Sequence, residues 1–423
     1  MRQDAQFGKA SEEKLPGALP VVAGFCSRLK IRDIIDEACP VRDVAGLTHG
    51  QVIEALVANR LTSPAPLVHI QSWARDRAVG EALGVDPELL NDDRIGRALD
   101  AIALHLDQIA GSAGVAAIGA FGIGVTRLHW DMTSISVHGE YEQSQDGFAA
   151  PKFGHPRDRR ADLKQVQAGI AVSGDGGIPV FHRAFDGGAG EISQVIPVMK
   201  ALQQMATARR LLIIGDSKLI SYANLAAEGV TFVAPASKTY VSAGDLAALP
   251  AGRAAKVDYV AQRAQGRPAA RRGSWHVTED TMSLASPRKR DPVLELRRVF
   301  VHSSARARAA ATTRARKLDR ARDDLQRLER GLGSRHYPTI EKVSARLAVI
   351  AKDRRVGACL RTTTGTSPDT GKPALTRESD QAAIDAETAA DGWYAPLTNL
   401  GPGQADATRV LTLCKGQEAA ERR

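Results

Sequence analysis

Two aspartates of this sequence occupy positions where carboxylate chemistry is possible. Asp131 lies in the middle of 125–137 (VTRLHWDMTSISV), a run of β-branched and aromatic residues that predicts a strand. Asp216 directly follows the short apolar run LLIIG. A carboxylate inside an apolar strand costs free energy unless it is paired or binds a cation, and ligands of α/β sheets collect at the carboxyl ends of strands. Hard oxygen ligands of this kind suit magnesium.

Each aspartate also has a purely structural interpretation. Asp216 could cap a helix that begins near Lys218, which is a common use of aspartate after a strand. Asp131 could end a strand rather than interrupt one. The order of elements described next makes their two strands neighbours in one sheet, and this order favours a shared metal site.

The elements that must position these aspartates begin with three strands. The run Val166–Ser173 is joined to Ile178–Phe185 by Gly174-Asp175-Gly176-Gly177, a strong hairpin signal. Further elements alternate between helix and strand, namely a helix over 190–207, a strand at Leu211–Ile214, a helix over 218–228 and a strand at Val230–Ala234. The order βββαβαβ predicts an α/β chain with a mixed sheet and a ribonuclease H-like core, whose first part spans 121–238.

A helical N-terminal domain is predicted over 1–120. Thr48 and Gln51 form a capping box before VIEALVANRL. Asn91 or Asp92 can cap a further helix, with apolar residues recurring along one face at Ile95, Leu99, Ile102 and Leu106. Glycine-rich sequence over 111–124 then weakens the helical signal.

The region 239–390 is predicted to be an insertion into the core. It contains basic clusters such as Arg271-Arg272 and strand-like pieces, followed by a helical hairpin over 303–352. The hairpin is predicted because leucines and other apolar residues recur at spacings of three and four, which is the pattern of an amphipathic helix. Leu325 and Leu347 are among these residues. The last segment, 391–423, is predicted as a strand at Trp393–Leu397 and a helix from Ala405 onward.

Composition narrows the functional classes. The 423 residues are 43% hydrophobic and 25% charged, the balance of a globular protein. The four scattered cysteines contain no CxxC pair, which argues against a zinc site or a disulfide framework and fits a reducing cytoplasm. No membrane-spanning run or signal peptide is evident. The net charge of +9 suits a polyanionic partner.

The sequence resembles the insertion-sequence transposases of the DDE class that carry a Tyr-(2)-Arg-(3)-Glu-(6)-Lys signature. The resemblance runs from about residue 15 to the end of the chain. It is carried by six segments: HWDMTSISVHGEY around Asp131, FGHPRDRRADLKQ at 153–165, the strand QAGIAVSGDGGIPV, LLIIGDSKLIS around Asp216, DGWYAPLTNL at 391–400, and the terminal CKGQEAAERR.

Mapping the signature implies that Glu421 is the third catalytic acid. Cys414 and Gln417 then stand at the signature's Tyr and Arg positions, so both residue types are replaced here. Glu418 is the alternative acid, on a different helical face. The signature's Lys would fall at position 428, beyond Arg423, so we expect a truncated final helix.

The resemblance implies phosphoryl transfer with two Mg²⁺ or Mn²⁺ ions held by Asp131, Asp216 and Glu421, with Asp131 bridging them. The implied partners are double-stranded DNA (the element's terminal inverted repeats and target DNA) and a second copy of the chain, since pairing two DNA ends needs at least a dimer. The implied location is the bacterial cytoplasm, at the nucleoid. Two alternatives stay open, namely a nuclease of the same fold and a catalytically decayed DNA-binding descendant.

Basic residues near the candidate site are expected to contact DNA phosphates. They are Arg157, Arg159, Arg160 and Lys164 before the second strand, with Lys218 after Asp216. The competing interpretation is a solvated loop, which is what most charge runs are. The arginine-rich segment 306–330 is expected to be a solvated hairpin face, with DNA or dimer contact as the minority alternative.

Overall fold

The structure is a computed structural model with a mixed α/β architecture. It describes residues 13–417 except 43, 143–146, 155–157, 190–199, 201–210, 227–229 and 250–253. The helix predicted over 190–207 therefore falls almost wholly outside the described residues. The chain divides into two compact units, of which the first ends at Leu211 and the second begins at Leu212.

The first unit begins with helices that enclose one hydrophobic core. The core contains Ile35, Val52, Ile70 and Ile95, each at most 2% exposed. The α-helices are α1 (Leu19–Arg28), α2 (Ile31–Ala38), α3 (His49–Thr62), α4 (Ile70–Asp76), α5 (Val79–Leu83), α6 (Asp92–Ala103) and α7 (Leu106–Phe121), with 3₁₀ turns at Leu67–His69 and Pro87–Leu89.

The predicted start signals of two of these helices are confirmed. The Thr48 hydroxyl accepts a hydrogen bond from the Gln51 amide at 3.1 Å, and the Gln51 side chain accepts one from the Thr48 amide at 2.8 Å. Asn91 caps α6 by accepting from the Arg94 amide at 2.9 Å. These contacts span three residues, so local sequence is sufficient to predict them.

Helix α7 differs from the sequence-based expectation, because it runs through the glycine-rich segment without a break. Gly114 is its one buried residue, and the helix ends at Gly122, which adopts a left-handed φ of 64°. The alanines between the glycines are the best helix formers and offset the propensity cost of about 1 kcal/mol per glycine. Among the described residues no single helix is long and apolar enough to cross a bilayer. Only α6 and α7 taken together pass that test, and they meet at 84°.

Three antiparallel strands complete the first unit, and they confirm the predicted hairpin. They are β1 (Arg127–Val137), β2 (Lys164–Ser173) and β3 (Pro179–Phe185), in the order β3-β2-β1. Asp131 lies opposite Ile170 on β2, which in turn lies opposite His182 on β3.

The second unit is built on a sheet of the order β4-β5-β12-β8-β7-β6, with β11 paired to β8. β12 is antiparallel to both β5 and β8, and β7 is antiparallel to β8 and β6. The strands are β4 (Leu211–Ile214), β5 (Val230–Pro235), β6 (Ala255–Val257), β7 (Trp275–Leu284), β8 (Leu294–Ser303), β11 (Trp393–Tyr394) and β12 (Pro396–Thr398). The single strand predicted at Trp393–Leu397 is therefore two short ones, separated by Ala395.

The helix predicted over 218–228 is replaced by two shorter turns. A 3₁₀ turn at Ser217–Leu219 is followed by α8 (Tyr222–Leu225). Asp216 caps the first turn and Ser221 caps the second, each through its side-chain oxygen. Two N-cap residues five positions apart begin two separate helical turns, because each one satisfies the amides that follow it.

A hairpin of two long helices follows β8. These are α10 (Ser304–Arg330) and α11 (Ile340–Arg354), and they share a core that includes Leu325 at 2% and Leu347 at 9% exposure. A two-stranded sheet of β9 (Leu360–Thr366) and β10 (Pro373–Ser379) comes next. The other helices of this unit are α9 (Ala243–Ala247), α12 (Gln381–Ala390) and α13 (Ala407–Lys415), with 3₁₀ turns at Gln262–Ala264 and Ala269–Arg271.

Candidate active site

Asp131 interrupts a buried stretch of β1 and is itself half-buried. Its neighbours Trp130 and Met132 are 6% and 3% exposed, and strand alternation points them to the opposite face. Trp130 packs over Gly169 of β2, where an added Cβ would come within 2.1 Å of the indole. Gly169 therefore makes room for the ring that anchors this part of β1, so Asp131 is carried on a tightly packed segment. Asp131 does not end the strand, which continues to Val137.

Asp216 lies immediately beyond β4, and the structure confirms the capping interpretation that the sequence offered for it. Its Oδ1 accepts a hydrogen bond from the Lys218 amide at 2.9 Å, so it is an N-cap. Among the described residues no partner is assigned to its second carboxylate oxygen, Oδ2. The strand before it is firmly buried, with Ile213 and Ile214 each 1% exposed. One oxygen thus orients the carboxylate, and the other is available to a ligand.

The C-terminal helix α13 packs against the strand that leads to Asp216. Asp406 caps α13 by accepting from the Arg409 amide at 2.7 Å. Val410 and Leu411 share one hydrophobic core with Ile214 of β4 and Val233 of β5. Helix α13, which precedes the third acid of the resemblance in the sequence, is therefore anchored beside this strand. Glu421 and the alternative Glu418 lie outside the described residues.

Cys414 and Gln417, which the resemblance places at the Tyr and Arg positions of the signature, lie at and just beyond the end of this helix. Cys414 is partly buried against the same core, and Gln417 is 8% exposed. Both have further contacts within the fold. Lys415, between them, places its ammonium 4.6 Å from the centre of the Tyr394 ring. These side chains pack and position the helix end.

The structure describes four of the five residues that are expected to contact DNA. Arg157 lies outside the described residues, and Arg159 is exposed with a left-handed φ of 62°. Arg160 forms a two-pronged ion pair with Asp162, with Nη2–Oδ2 at 2.7 Å. This hydrogen-bonded pair lowers the pKa of Asp162 to about 2. The Lys164 ammonium donates to the backbone carbonyls of Glu140 and Tyr141, and Lys218 is exposed.

The basic loop is tied to the strand that carries Asp131. The Ser136 hydroxyl donates to Asp158 at 2.9 Å, and the Asp158 carboxylate also accepts from the Arg160 amide at 3.0 Å. These hydrogen bonds lower the pKa of Asp158. They fasten the start of the loop beside β1, five residues beyond Asp131.

The structure does not bring a full set of metal ligands together in the part of the chain that it describes. Within those residues no group of three or more His, Cys, Asp or Glu side chains is placed to hold a metal ion. Asp131 belongs to the first unit and Asp216 to the second. The triad with Glu421 therefore stays a prediction.

Sequence reasoning assigned no role to one buried arginine of the second unit. Arg297, in a basic pair with Arg298 on β8, is 8% exposed and donates to the carbonyls of Leu400 and Ala405, at 2.8 and 2.9 Å. Strand alternation was the available signal, because of two adjacent arginines on a strand only one can face the core.

Comparisons with known proteins give partial matches. A family described as a domain of unknown function (DUF4277) matches residues 12–107. No curated protein matches the chain. Two solved structures are similar over 49% of this chain and 73% of theirs, at 13% identity and a TM-score of 0.16: the Mos1 transposase paired-end complex with the left transposon end, and the Mos1 mariner paired-end complex with Mn. A likeness with so low a TM-score does not support a functional assignment, which depends on the chain's own residues.

Proposed function

We propose that the chain is a DNA transposase of the insertion-sequence type, with a ribonuclease H-like core and a DDE triad of Asp131, Asp216 and Glu421. It would cleave the ends of its element and join them to target DNA by metal-dependent phosphoryl transfer. The observation that carries this proposal is the common core of α13 with β4. It anchors the segment that precedes Glu421 beside the strand that ends at Asp216.

The donor chemistry of the described residues fits a divalent cation. Asp131 is a half-buried carboxylate in a strand, and Asp216 has one oxygen fixed by the Lys218 amide. Both are hard oxygen donors of the type that Mg²⁺ and Mn²⁺ accept. When bound, two such ions supply an activated water or 3′-hydroxyl and neutralise charge on the leaving oxygen.

The chain's own residues would orient this chemistry. Asp131, Asp216 and Glu421 would hold the ions. The amide of Lys218 keeps the Asp216 carboxylate in a fixed rotamer through Oδ1, so Oδ2 meets its ligand with little loss of side-chain freedom. The exposed cations Arg159 and Lys218 would bind DNA phosphates, with Arg157, Arg160 and Lys164 of the same loop.

Cleavage of the element's own ends in the presence and absence of Mg²⁺ tests the proposal. Asp131→Asn and Asp216→Asn should each abolish cleavage and leave DNA binding intact or stronger, because each removes negative charge near the phosphates. Asp369→Asn is the matched control, since Asp369 is exposed and distant in sequence from both acids. Full cleavage by the Asp131→Asn protein would refute the metal site.

A second experiment separates the proposal from its two rivals. A pre-cleaved donor with a 3′-hydroxyl end should be joined to target DNA by a transposase, whereas a nuclease would cut without joining. A decayed DNA-binding descendant would bind the ends and do neither. The replaced signature residues Cys414 and Gln417 favour this last rival. Cys414→Tyr with Gln417→Arg should raise activity if those replacements are what weakens it.

The helical N-terminal region is proposed to bind the element's ends, with a helix in the major groove as the default mode. Its independent hydrophobic core supports a separate recognition domain. A fragment covering 1–120 should prefer end DNA over random DNA. Equal affinity for both would assign the region to dimerisation or to a purely structural role.

A further inference from the structure

A partly open cavity of about 280 Å³ lies within the second unit, between the segment before β7 and the start of α10. Small and apolar residues form part of its wall, Ala264 and Ala305 among them. We call it the arginine cavity and define it by the larger side chains that line it, which are Tyr259, Arg267, Arg271, Arg272, Trp275 and Arg308. Neither aspartate of the proposed metal site is among the residues that line it.

The wall of the arginine cavity is held in a defined shape. Arg272 folds back on its own loop, where Nε donates to the carbonyl of Arg267 at 2.8 Å and Nη2 to that of Gln265 at 3.1 Å. The loop is fastened to the start of α10, because the Ser274 amide donates to the Ser304 hydroxyl at 2.9 Å and the Ser304 amide to the Ser274 carbonyl at 3.1 Å. The cavity is therefore a formed site.

Its charge is positive and uncompensated. None of the described residues that line it is acidic. Within the described part of the chain, no hydrogen bond or ion pair is found for the side chains of Arg267, Arg271 and Arg308. By contrast, Arg298 and Arg354 are each paired with a carboxylate. Arginines gathered without a counter-charge repel one another, so an anion that enters gains the attraction of all of them.

The aromatic side of the cavity strengthens this attraction. Tyr259 and Trp275 meet edge to face, with ring centres 5.1 Å apart, and Trp275 is 6% exposed. The Lys415 ammonium lies 5.5 Å from the centre of the Trp275 ring. These rings exclude water from one side of the cavity, which strengthens the contacts that an anion makes on that side, whereas the lining arginines are exposed to solvent and accessible to the anion.

We propose that the arginine cavity binds a phosphate group. The planar fork of a guanidinium matches two phosphate oxygens at once, which a lysine does not. Since a water takes up roughly 30 Å³ of the liquid, 280 Å³ leaves room for a phosphate together with the group attached to it. In the proposed transposase the phosphate belongs to the backbone of DNA, and in this respect the inference rests on the proposed function. A free phosphate or a mononucleotide has the same chemistry.

The test uses the full chain and the variant Arg271→Gln, with Arg316→Gln as the matched control. Arg316 is exposed on α10 and lies outside the arginine cavity. Its replacement by glutamine removes the same charge as Arg271→Gln. Affinity for a short duplex is measured by fluorescence anisotropy between about 50 and 200 mM salt. One lost phosphate contact should lower the slope of log affinity against log salt by about 0.9. We expect this change in Arg271→Gln, no change in Arg316→Gln, and a restored slope in Arg271→Lys, which keeps the charge.

Calorimetric titration with inorganic phosphate forms the second arm and separates the two sources. If the wild type binds inorganic phosphate and Arg271→Gln does not, the result supports the arginine cavity as a phosphate site. If the duplex slope is unchanged at the same time, the ligand is a small phosphate compound and not DNA. Equal slopes for Arg271→Gln and wild type, with no phosphate binding by wild type, overturn the inference. Equal losses in Arg271→Gln and Arg316→Gln overturn it too, because they indicate general surface charge. Neither arm uses catalysis, so the Asp131→Asn cleavage test of the proposed function can fail independently.

Discussion

Replacing Arg297 by glutamine should destabilise the second unit, and the cost can be worked out from its contacts. Arg297 donates to two backbone carbonyls, those of Leu400 and Ala405, and its Nη2 lies 2.5 Å from a Glu279 carboxylate oxygen. The Glu279 side chain is 38% exposed, so water screens that ion pair and its loss adds little. The two carbonyls would lose their donor inside the fold, at about 1–3 kcal/mol each. We therefore expect a loss of about 2–6 kcal/mol in the free energy of unfolding.

Arg298 provides the matched control because it is the next residue on the same strand. It pairs with Asp280 on the neighbouring strand β7, with Nη2–Oδ2 at 2.6 Å, and within the described residues it donates to no backbone carbonyl. Arg298→Gln should cost about 1 kcal/mol or less, as for other partly exposed ion pairs. Urea denaturation followed by circular dichroism measures both values. Limited proteolysis should also show faster cleavage near 400–405 in Arg297→Gln alone. Equal destabilisation by the two variants would refute the reasoning.

Three further predictions concern stability. Thr48→Ala removes the capping hydroxyl of α3 and should cost about 0.5–2 kcal/mol by thermal denaturation, so an unchanged midpoint would contradict the cap. Leu325→Ala should cost about 2–5 kcal/mol because Leu325 is 2% exposed, whereas Leu104→Ala, at a position 75% exposed, should cost about 0.5 kcal/mol or less. The hydrogen-bonded Arg354 lowers the pKa of Asp324. The pair therefore stabilises the hairpin at a pH above about 3.9, the pKa of an aspartate in the unfolded chain, and this contribution is lost as the pH falls below that value. Asp324→Asn should reduce the acid dependence of unfolding, and an identical pH profile would speak against the pair.

Much of the fold could be predicted from the sequence because its signals act over a few residues. Thr48 and Gln51 bond across three positions, and the leucines of the hairpin recur at helical spacing. The glycines after Ser173 permit the backbone conformations of a tight turn between two strand-like runs. The positions of Asp131 in a strand and of Asp216 after one were predicted in the same way. In each case the chain neighbours alone supply the hydrogen bonds or the apolar face that decide the outcome.

Other features were decided only by tertiary structure, since their partners are far apart in sequence. Arg297 appears as one of several basic residues until it is found to hold the carbonyl of Leu400, which is 103 positions away. The arginine cavity forms because Ser274 is bound to Ser304, so that two basic segments with no local relation face one space. Short-range sequence patterns thus determined the elements of this protein and its candidate acids. Which side chains are buried, and which charges have a partner, depends on which distant segments meet. Only the folded chain contains that information.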